Sequence, residues 1–292
     1  MPSRLLVSCP DQRGIVAAVS GFLAEQGANI VHADQHTTHA DHFFFLRVEF
    51  DLGTPSSSGS SWRGGRGERP SSLVELEEAF APAAERFGME ARFVKPDSRK
   101  RIAIFVSKED HCLLELLLHQ RAGDLEAEIA LVVGNHPDLA PVVESYGVPF
   151  HHVSMEDKEA GERRQLELTQ GLDLIVLAKY MQIVTPRLLE SWAGRIINIH
   201  HSFLPAFVGA RPYHQAHQRG VKLIGATAHY VTQELDAGPI IEQDVRRVDH
   251  RADPIELRRL GRQVERAVLA RAVEWHCEDR VMVHDGRTVV FS

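Results

Sequence analysis

The fold is decided by residues 102–133, which read IAIFVSKEDHCLLELLLHQRAGDLEAEIALVV. A short apolar run at 102–107 is followed by a helical segment near 109–120 and by a second apolar run at 128–133. Short apolar strands that alternate with helices are typical of parallel β-α-β units, in which helices cover both faces of the sheet. This stretch therefore predicts an α/β domain.

The same alternation continues toward the C-terminus. Further strands are expected at 150–153, 173–178 and 195–200, with helices near 137–146, 157–170 and 186–193 between them. A β-hairpin is expected at about 223–231 and 239–247, then a helix that begins at 253–256, and finally a hairpin with its turn at Asp285-Gly286. Ligands of such folds bind beyond the carboxyl ends of the strands, so functional residues are expected there.

Residues 4–95 have a different pattern. Strands are expected at 4–8, 29–37, 43–50 and 89–94, with one helix after Gly14 and a second that begins at Ser71 or Ser72. The order strand, helix, strand, strand, helix, strand predicts a ferredoxin-like domain. Its boundary with the second domain is placed in the polar segment 95–100, which gives domains at 1–96 and 97–292.

Residues 53–70 read GTPSSSGSSWRGGRGERP and contain almost no apolar side chains. Such a segment cannot bury enough surface to offset the entropy of ordering, so a flexible surface insertion is predicted. An RNA-binding role for its few arginines is disfavoured, because they make a weak basic footprint.

Composition excludes several classes of function. The net charge of −7 gives no electrostatic reason to bind nucleic acid or an anionic membrane. Three cysteines do not form a disulfide framework, and no stretch resembles a signal peptide or a membrane span. A cytoplasmic protein is therefore expected.

Three polar residues suggest chemistry. Asn198 and His200 lie near the end of a predicted strand, where alternation places both on one face and Ile199 on the other. Asp236 precedes a Gly-Pro turn that can present it at a loop tip. An amide donor, an imidazole and a carboxylate suit the attack of water on a formyl carbon. By themselves, however, Asn198 and His200 are equally compatible with a structural role at a strand end. An aspartate in a turn, such as Asp236, is more often a loop former than a catalytic residue.

The surrounding motifs add a resemblance. The motifs are NIHHSFLP at 198–205, GATAHYV at 225–231 and LDAGPII at 235–241. They resemble the superfamily of 10-formyltetrahydrofolate hydrolases and transformylases over about residues 100–292. This resemblance implies a Rossmann-like formyltransferase-type domain with a mainly parallel sheet, and catalytic roles for Asn198, His200 and Asp236.

Within that superfamily, the motifs HSFLPAF at 201–207, GARPYHQA at 209–216 and KYMQI at 179–183 are most similar to formyltetrahydrofolate deformylases. The substrate implied is 10-formyltetrahydrofolate, with no separate cofactor. Expected substrate-binding residues are Tyr180, Met181, Gln182, Ile183, Arg211, His229 and Leu235. From the residues alone, Met181 and Ile183 would be assigned to core packing.

The front domain resembles an ACT domain, a fold that commonly binds amino acids and regulates the attached enzyme. The resemblance implies an amino-acid effector near Asp11, Arg13 and Gly14, in a loop that often lies across a subunit interface, and hence a homo-oligomer. The alternative is a tight turn that needs Gly14 for its backbone freedom.

Two other functions stay open. A transformylase would pass the formyl group to an amine such as glycinamide ribonucleotide, but residues 107–112 hold two acids and no glycine where those relatives cradle a phosphate. The second alternative is an inactive folate or amino-acid sensor. No metal site is expected. His201 is expected to point away from His200, and Cys112 to be a packed helix residue.

Overall fold

The computed structural model describes residues 2–52, 72–96, 98–205 and 212–291. The chain divides into two compact units, residues 1–98 with 291–292, and residues 99–290. The predicted insertion at 53–70 and the predicted site residue Arg211 lie outside the described residues.

The first unit has the predicted ferredoxin-like order. Its elements are β1 (Ser3–Pro10), α1 (Ile15–Glu25), β2 (Asn29–Thr37), β3 (Phe43–Asp51), α2 (Leu73–Phe87) and β4 (Glu90–Val94). The strands form one antiparallel sheet in the order β2-β3-β1-β4. Helix α2 begins where the sequence predicts, because the Ser72 hydroxyl accepts a hydrogen bond from the Glu75 amide.

The second unit contains the α/β domain. Its strands are β5 (Lys100–Val106), β6 (Ala127–Gly134), β7 (Phe150–His152), β8 (Leu174–Leu177), β9 (Ile196–His200), β10 (Leu223–Tyr230), β11 (Ile240–Arg247), β12 (Val281–His284) and β13 (Arg287–Val290). Its α-helices are α3 (His111–Ala122), α4 (Ala140–Ser145), α5 (Lys158–Leu168), α6 (Pro186–Ser191), α7 (Pro212–Gln218) and α8 (Pro254–Cys277), and a 3₁₀ turn covers Pro137–Leu139.

Seven of these strands form a sheet in the order β11-β10-β9-β8-β5-β6-β7. The five strands β5 to β9 are parallel, whereas β10 runs antiparallel to both β9 and β11. The prediction of a mainly parallel sheet is therefore confirmed. The antiparallel strand β10 places a second set of side chains next to the carboxyl end of β9, where the site lies.

Local sequence explains most helix boundaries. Helix α8 begins as predicted: the Asp253 carboxylate accepts a hydrogen bond from the Glu256 amide, and Pro254 occupies the first helical position. One predicted helix differs in detail, and one helix was not predicted. The helix near 137–146 is a 3₁₀ turn followed by a short α-helix, and α7 was not predicted as a separate element.

Among the residues that the structure describes, no helix has the length and apolar content required to cross a bilayer.

Candidate active site

A cavity of about 480 Å³ opens in the second unit, beyond the carboxyl ends of β8 and β9. Its volume suits a small organic ligand. It is lined by every described residue of the predicted catalytic and substrate-binding sets, namely Tyr180, Met181, Gln182, Ile183, Asn198, His200, His229, Leu235 and Asp236. The sheet topology thus brings together residues that are up to 56 positions apart in the sequence, from Tyr180 to Asp236.

Asn198 and His200 share one face at the end of β9, as strand alternation predicts. The side chain of Ile199 between them packs into the apolar core. His200 is buried, whereas Asn198 is partly exposed to the cavity. Both side chains therefore line the cavity.

The antiparallel strand β10 places His229 directly opposite Asn198. The Nδ2 atom of Asn198 lies 3.2 Å from Nε2 of His229, and Nδ1 of His229 lies 2.9 Å from the carbonyl oxygen of Tyr230. A carbonyl can only accept, so Nδ1 carries the proton and Nε2 accepts from the Asn198 amide. Burial lowers the pKa of His229, which keeps this ring neutral.

Asp236 enters the site from the loop between β10 and β11. Its backbone is left-handed (φ 57°), and its carboxylate Oδ2 lies 3.3 Å from Nδ1 of His200. The loop is pinned by Gly238, where an added Cβ would lie 1.8 Å from the carbonyl oxygen of Tyr230. The amide of Tyr230 in turn donates to the carbonyl of Pro239. This close backbone packing fixes where Asp236 stands relative to His200.

The outer wall of the cavity is apolar and exposed. The side chains of Met181, Ile183 and Leu235 are 64%, 67% and 67% exposed, so the assignment of Met181 and Ile183 to the core is wrong. Tyr180 is different, because its ring is buried and its hydroxyl accepts a hydrogen bond from Gln165. Burial raises the pKa of Tyr180 to about 12. The wall is thus anchored at Tyr180 and presents hydrocarbon to a ligand.

His201 was expected to point away from His200, and this expectation is wrong. The two rings are stacked, with centroids 5.1 Å apart and planes at 30°. The physical reason is that β9 ends at His200, so strand alternation does not extend to the next residue. Burial, helped by the charge of Lys179, lowers the pKa of His201 to about 4, and a neutral ring therefore packs against His200 at pH 7.

A buried cluster beside the cavity was not predicted. The carboxylate of Glu265 accepts a hydrogen bond from the Tyr213 hydroxyl (2.6 Å) and lies 2.8 Å from Nε2 of His111 and 3.3 Å from Nζ of Lys179. One signal was available in the sequence. Glu265 lies on the buried face of α8, among apolar residues at helical spacing, where an unpaired acid is rare.

His111, Cys112 and Glu265 are also close enough to hold a metal ion, with potential ligand atoms within 4.8 Å of one another. Two observations argue against that role. The charge of Glu265 is already balanced by Lys179 and by hydrogen bonds. Burial and the adjacent Glu265 raise the pKa of Cys112, so its thiol stays protonated and is a poor ligand. Cys112 is a packed helix residue, as expected.

The predicted effector residues lie in the first unit, in the loop between β1 and α1. Asp11, Arg13 and Gly14 are all exposed. Gly14 is the N-cap of α1 and is left-handed (φ 99°), a conformation that L-residues rarely adopt. The Asp11 amide donates to the carbonyl of His42, and the Gln12 side chain donates to the carbonyl of Phe87. These two hydrogen bonds tie the loop to His42 and Phe87.

Comparison with known protein families finds one matching domain family for each unit. The formyl transferase family model matches residues 100–273, and the ACT domain model matches residues 3–56. The fold and the site thus define a protein with an ACT domain followed by a formyl transferase domain.

Relatives that match nearly the whole chain identify a particular family within this class. A formyltetrahydrofolate deformylase of Bacillus subtilis (strain 168) is 53% identical over 99% of this chain and 93% of its own length. The crystal structure of a formyltetrahydrofolate deformylase from Pseudomonas syringae pv. tomato has a TM-score of 0.89 and 46% identity, and covers 100% of this chain and 94% of that one. The chain belongs to the formyltetrahydrofolate deformylase family.

A transformylase is a more distant neighbour. Glycinamide ribonucleotide transformylase 1 from Symbiobacterium toebii has a TM-score of 0.65 and 30% identity. The match covers 68% of this chain and 97% of the transformylase. About a third of this chain therefore has no counterpart in the transformylase.

Proposed function

We propose that this protein hydrolyses 10-formyltetrahydrofolate to formate and tetrahydrofolate, with no separate cofactor. The observation that carries the proposal is the geometry around His200, where Asn198, His229 and Asp236 converge at one end of a cavity whose outer wall is apolar. A flat folate ring system suits such a wall, and the formyl group then reaches the polar end.

Asn198 is proposed to stabilise the negative charge that develops on the formyl oxygen. One hydrogen of its amide is donated to Nε2 of His229, which leaves the other for the oxygen. His229 thereby decides which way the amide faces. A preorganised donor of this kind contributes roughly 2.7–4 kcal/mol to transition-state stabilisation.

His200 and Asp236 are proposed to act together. The Asp236 carboxylate beside Nδ1 orients the imidazole, and it can also accept a proton from the attacking water. The water oxygen bonds to the formyl carbon, the bond between this carbon and N10 of the folate breaks, and N10 takes up a proton as formate leaves. His200 either stabilises the formyl oxygen or moves that proton.

The transferase alternative has less support. Glu109 and Asp110 precede α3 at the place where the transformylases are expected to hold a phosphate. Glu109 is already paired with Arg258 at 2.9 Å and with Arg262 at 3.4 Å. Two acids at a helix N-terminus repel a phosphate that would bind at the same place. This arrangement favours water over a phosphorylated amine as acceptor.

A single assay tests the proposal. Purified protein and 10-formyltetrahydrofolate are incubated without any amine, and formate and tetrahydrofolate are both measured. Equal amounts of the two products are expected, and an Asn198→Ala variant should be slower by a factor of about a hundred or more. Turnover that appears only when an amine acceptor is added would refute hydrolysis.

For the first unit, we propose regulation by a small amino acid at the loop of Asp11, Arg13 and Gly14. The exposure of this loop and the similarity to ACT domains support this proposal. A homo-oligomer is proposed on the same similarity, and sedimentation equilibrium tests it. The free, buried cysteines Cys9, Cys112 and Cys277 support a reducing compartment, and the cytoplasm is our proposal.

A further inference from the structure

Lys179 is a buried lysine in a backbone conformation that L-residues rarely adopt. It follows β8, its φ is 61°, and its residue exposure is only 6%. Glycine suits such a position because it has no Cβ to crowd the following carbonyl. A lysine is therefore a costly choice here on two grounds, strain and burial of charge, and both must be offset by what its side chain does.

The ammonium group of Lys179 is anchored on Glu265, a residue of α8 that is 1% exposed. Burial alone would raise the pKa of Glu265, but the hydrogen bond from His111 and the charge of Lys179 hold this pKa well below its usual range. The Glu265 carboxylate is thus a fixed negative charge. His111 and Tyr213 hold it in place, which leaves it oriented toward Lys179.

The segment after Lys179 forms the apolar wall of the cavity and has no regular secondary structure until α6. The buried ring of Tyr180 and two backbone amides hold this segment. The Met181 amide donates to Ser107 Oγ (3.0 Å), and the Thr185 amide donates to Glu162 (3.0 Å). After β8 the chain turns through the left-handed conformation of Lys179. This turn sets the direction in which the wall leaves the sheet.

We propose that Lys179 is a positioning residue for the folate: anchored on Glu265, it locks the left-handed turn that aims Met181 and Ile183 at the ligand. The inference rests on the proposed function for the identity of the ligand. Lys179 also lines the cavity, but its ammonium pairs with Glu265, so the proposed action is through the turn and not by contact with the reacting formyl group. Its loss should therefore weaken folate binding much more than it slows the chemical step.

The test compares wild type with Lys179→Met, Lys179→Arg and the control Lys158→Met, which changes an exposed lysine on α5. For Lys179→Met, we expect KM for 10-formyltetrahydrofolate to rise roughly tenfold or more while kcat changes less than about threefold. Lys179→Arg should recover most of the loss, since it restores the charge beside Glu265. The control should match wild type.

A double-mutant cycle with Glu265→Gln tests the anchoring step. If Lys179 acts through Glu265, the double variant Lys179→Met/Glu265→Gln should bind tetrahydrofolate no more weakly than the weaker of the two single variants. Additive losses in this cycle would overturn the anchoring step and point to direct contact with the ligand. An unchanged KM in Lys179→Met, or a loss of kcat alone, would overturn the proposal as well.

Calorimetry with tetrahydrofolate separates this inference from the proposed function. Wild type that binds tetrahydrofolate but releases no formate would refute the hydrolase, while weaker binding by Lys179→Met would still support the positioning role. Wild type that does not bind tetrahydrofolate would overturn both. If Lys179→Met fails to fold, Glu265→Gln takes its place: unchanged tetrahydrofolate binding together with a lowered Tm would show that the ion pair serves stability alone.

Discussion

At the scale of single residues, the site depends on how one side chain constrains the next. Asn198 alone can present either its oxygen or its nitrogen to a ligand, but His229 accepts from its nitrogen. His229 can only accept because its other nitrogen donates to the Tyr230 carbonyl. Backbone geometry thus determines, through two hydrogen bonds, that an N–H faces the cavity. A neutral His229 is required for this, and its burial favours the neutral form.

Asp236→Asn should lower kcat by about a hundredfold or more, because an amide can neither accept a proton from water nor hold the imidazole of His200 through a charge. Folding and tetrahydrofolate binding should survive, since the side chain is nearly isosteric. Stopped-time assays of formate release measure kcat, and calorimetry measures binding. A variant that turns over at the wild-type rate would remove Asp236 from the mechanism.

His201 should make stability depend on pH. Its folded pKa of about 4 lies below the usual histidine value of 6.5, so the unfolded chain binds more protons between these values. Stability contributed by the neutral ring is therefore present above about pH 6.5 and is lost as the pH falls toward 4. Between pH 7 and pH 5 the loss should be about 2 kcal/mol.

The control for this effect is His201→Phe, which keeps an aromatic ring against His200 and Tyr213 but cannot titrate. Denaturant titrations of both proteins at pH 7 and pH 5 measure the difference. The charged and titratable groups that act on His201 are Lys179, Glu265, His200 and Glu109, and the substitution alters none of them. Equal pH dependence in the two proteins would show that His201 is not the source.

At the scale of elements, the loop between β10 and β11 determines where Asp236 stands. Gly238→Ala should force this loop away from β10, because the new methyl group would overlap the Tyr230 carbonyl. We expect kcat to fall roughly tenfold or more and stability to fall by about 1–3 kcal/mol. Gly21→Ala is the matched control, since it adds a methyl group to a helix where nothing lies within 4 Å. Similar kinetics for both variants would contradict the role of the loop.

The sequence predicted most of the elements, though not α7, and its motifs singled out Asn198, His200 and Asp236. Strand alternation predicts that Asn198 and His200 share a face, and the Asp253-Pro254 start of α8 is readable from local chemistry. The pairing of Asn198 with His229 was not predictable from periodicity, because it depends on the register between β9 and β10. The Glu265 cluster was missed because its members come from α3, α7, α8 and the residues after β8, which only the tertiary fold brings together.

At the scale of the whole molecule, the chain combines an ACT domain with a formyl transferase domain. A small amino acid should bind the first unit near Asp11 and Gly14 and should alter turnover, with a coupling of about 1–3 kcal/mol. Calorimetry with a panel of amino acids measures binding, and formate release measures the coupling. Asp11→Ala should lose amino-acid binding and its effect on turnover while basal turnover is kept, which would locate the effector at this loop. Absence of binding for the whole panel would count strongly against a sensing role.

The source of the oxygen in formate separates hydrolysis from transfer most directly. If water attacks the formyl carbon between Asp236 and His200, a reaction in oxygen-18 water must place the label in formate, because the new carbon–oxygen bond comes from solvent. Glycinamide ribonucleotide should be neither bound nor formylated at millimolar concentration, since Glu109 and Asp110 oppose a phosphate at the start of α3. Mass spectrometry of formate and of the ribonucleotide measures both outcomes. Unlabelled formate, or formylation at a rate that matches folate turnover, would replace the hydrolase with a transferase.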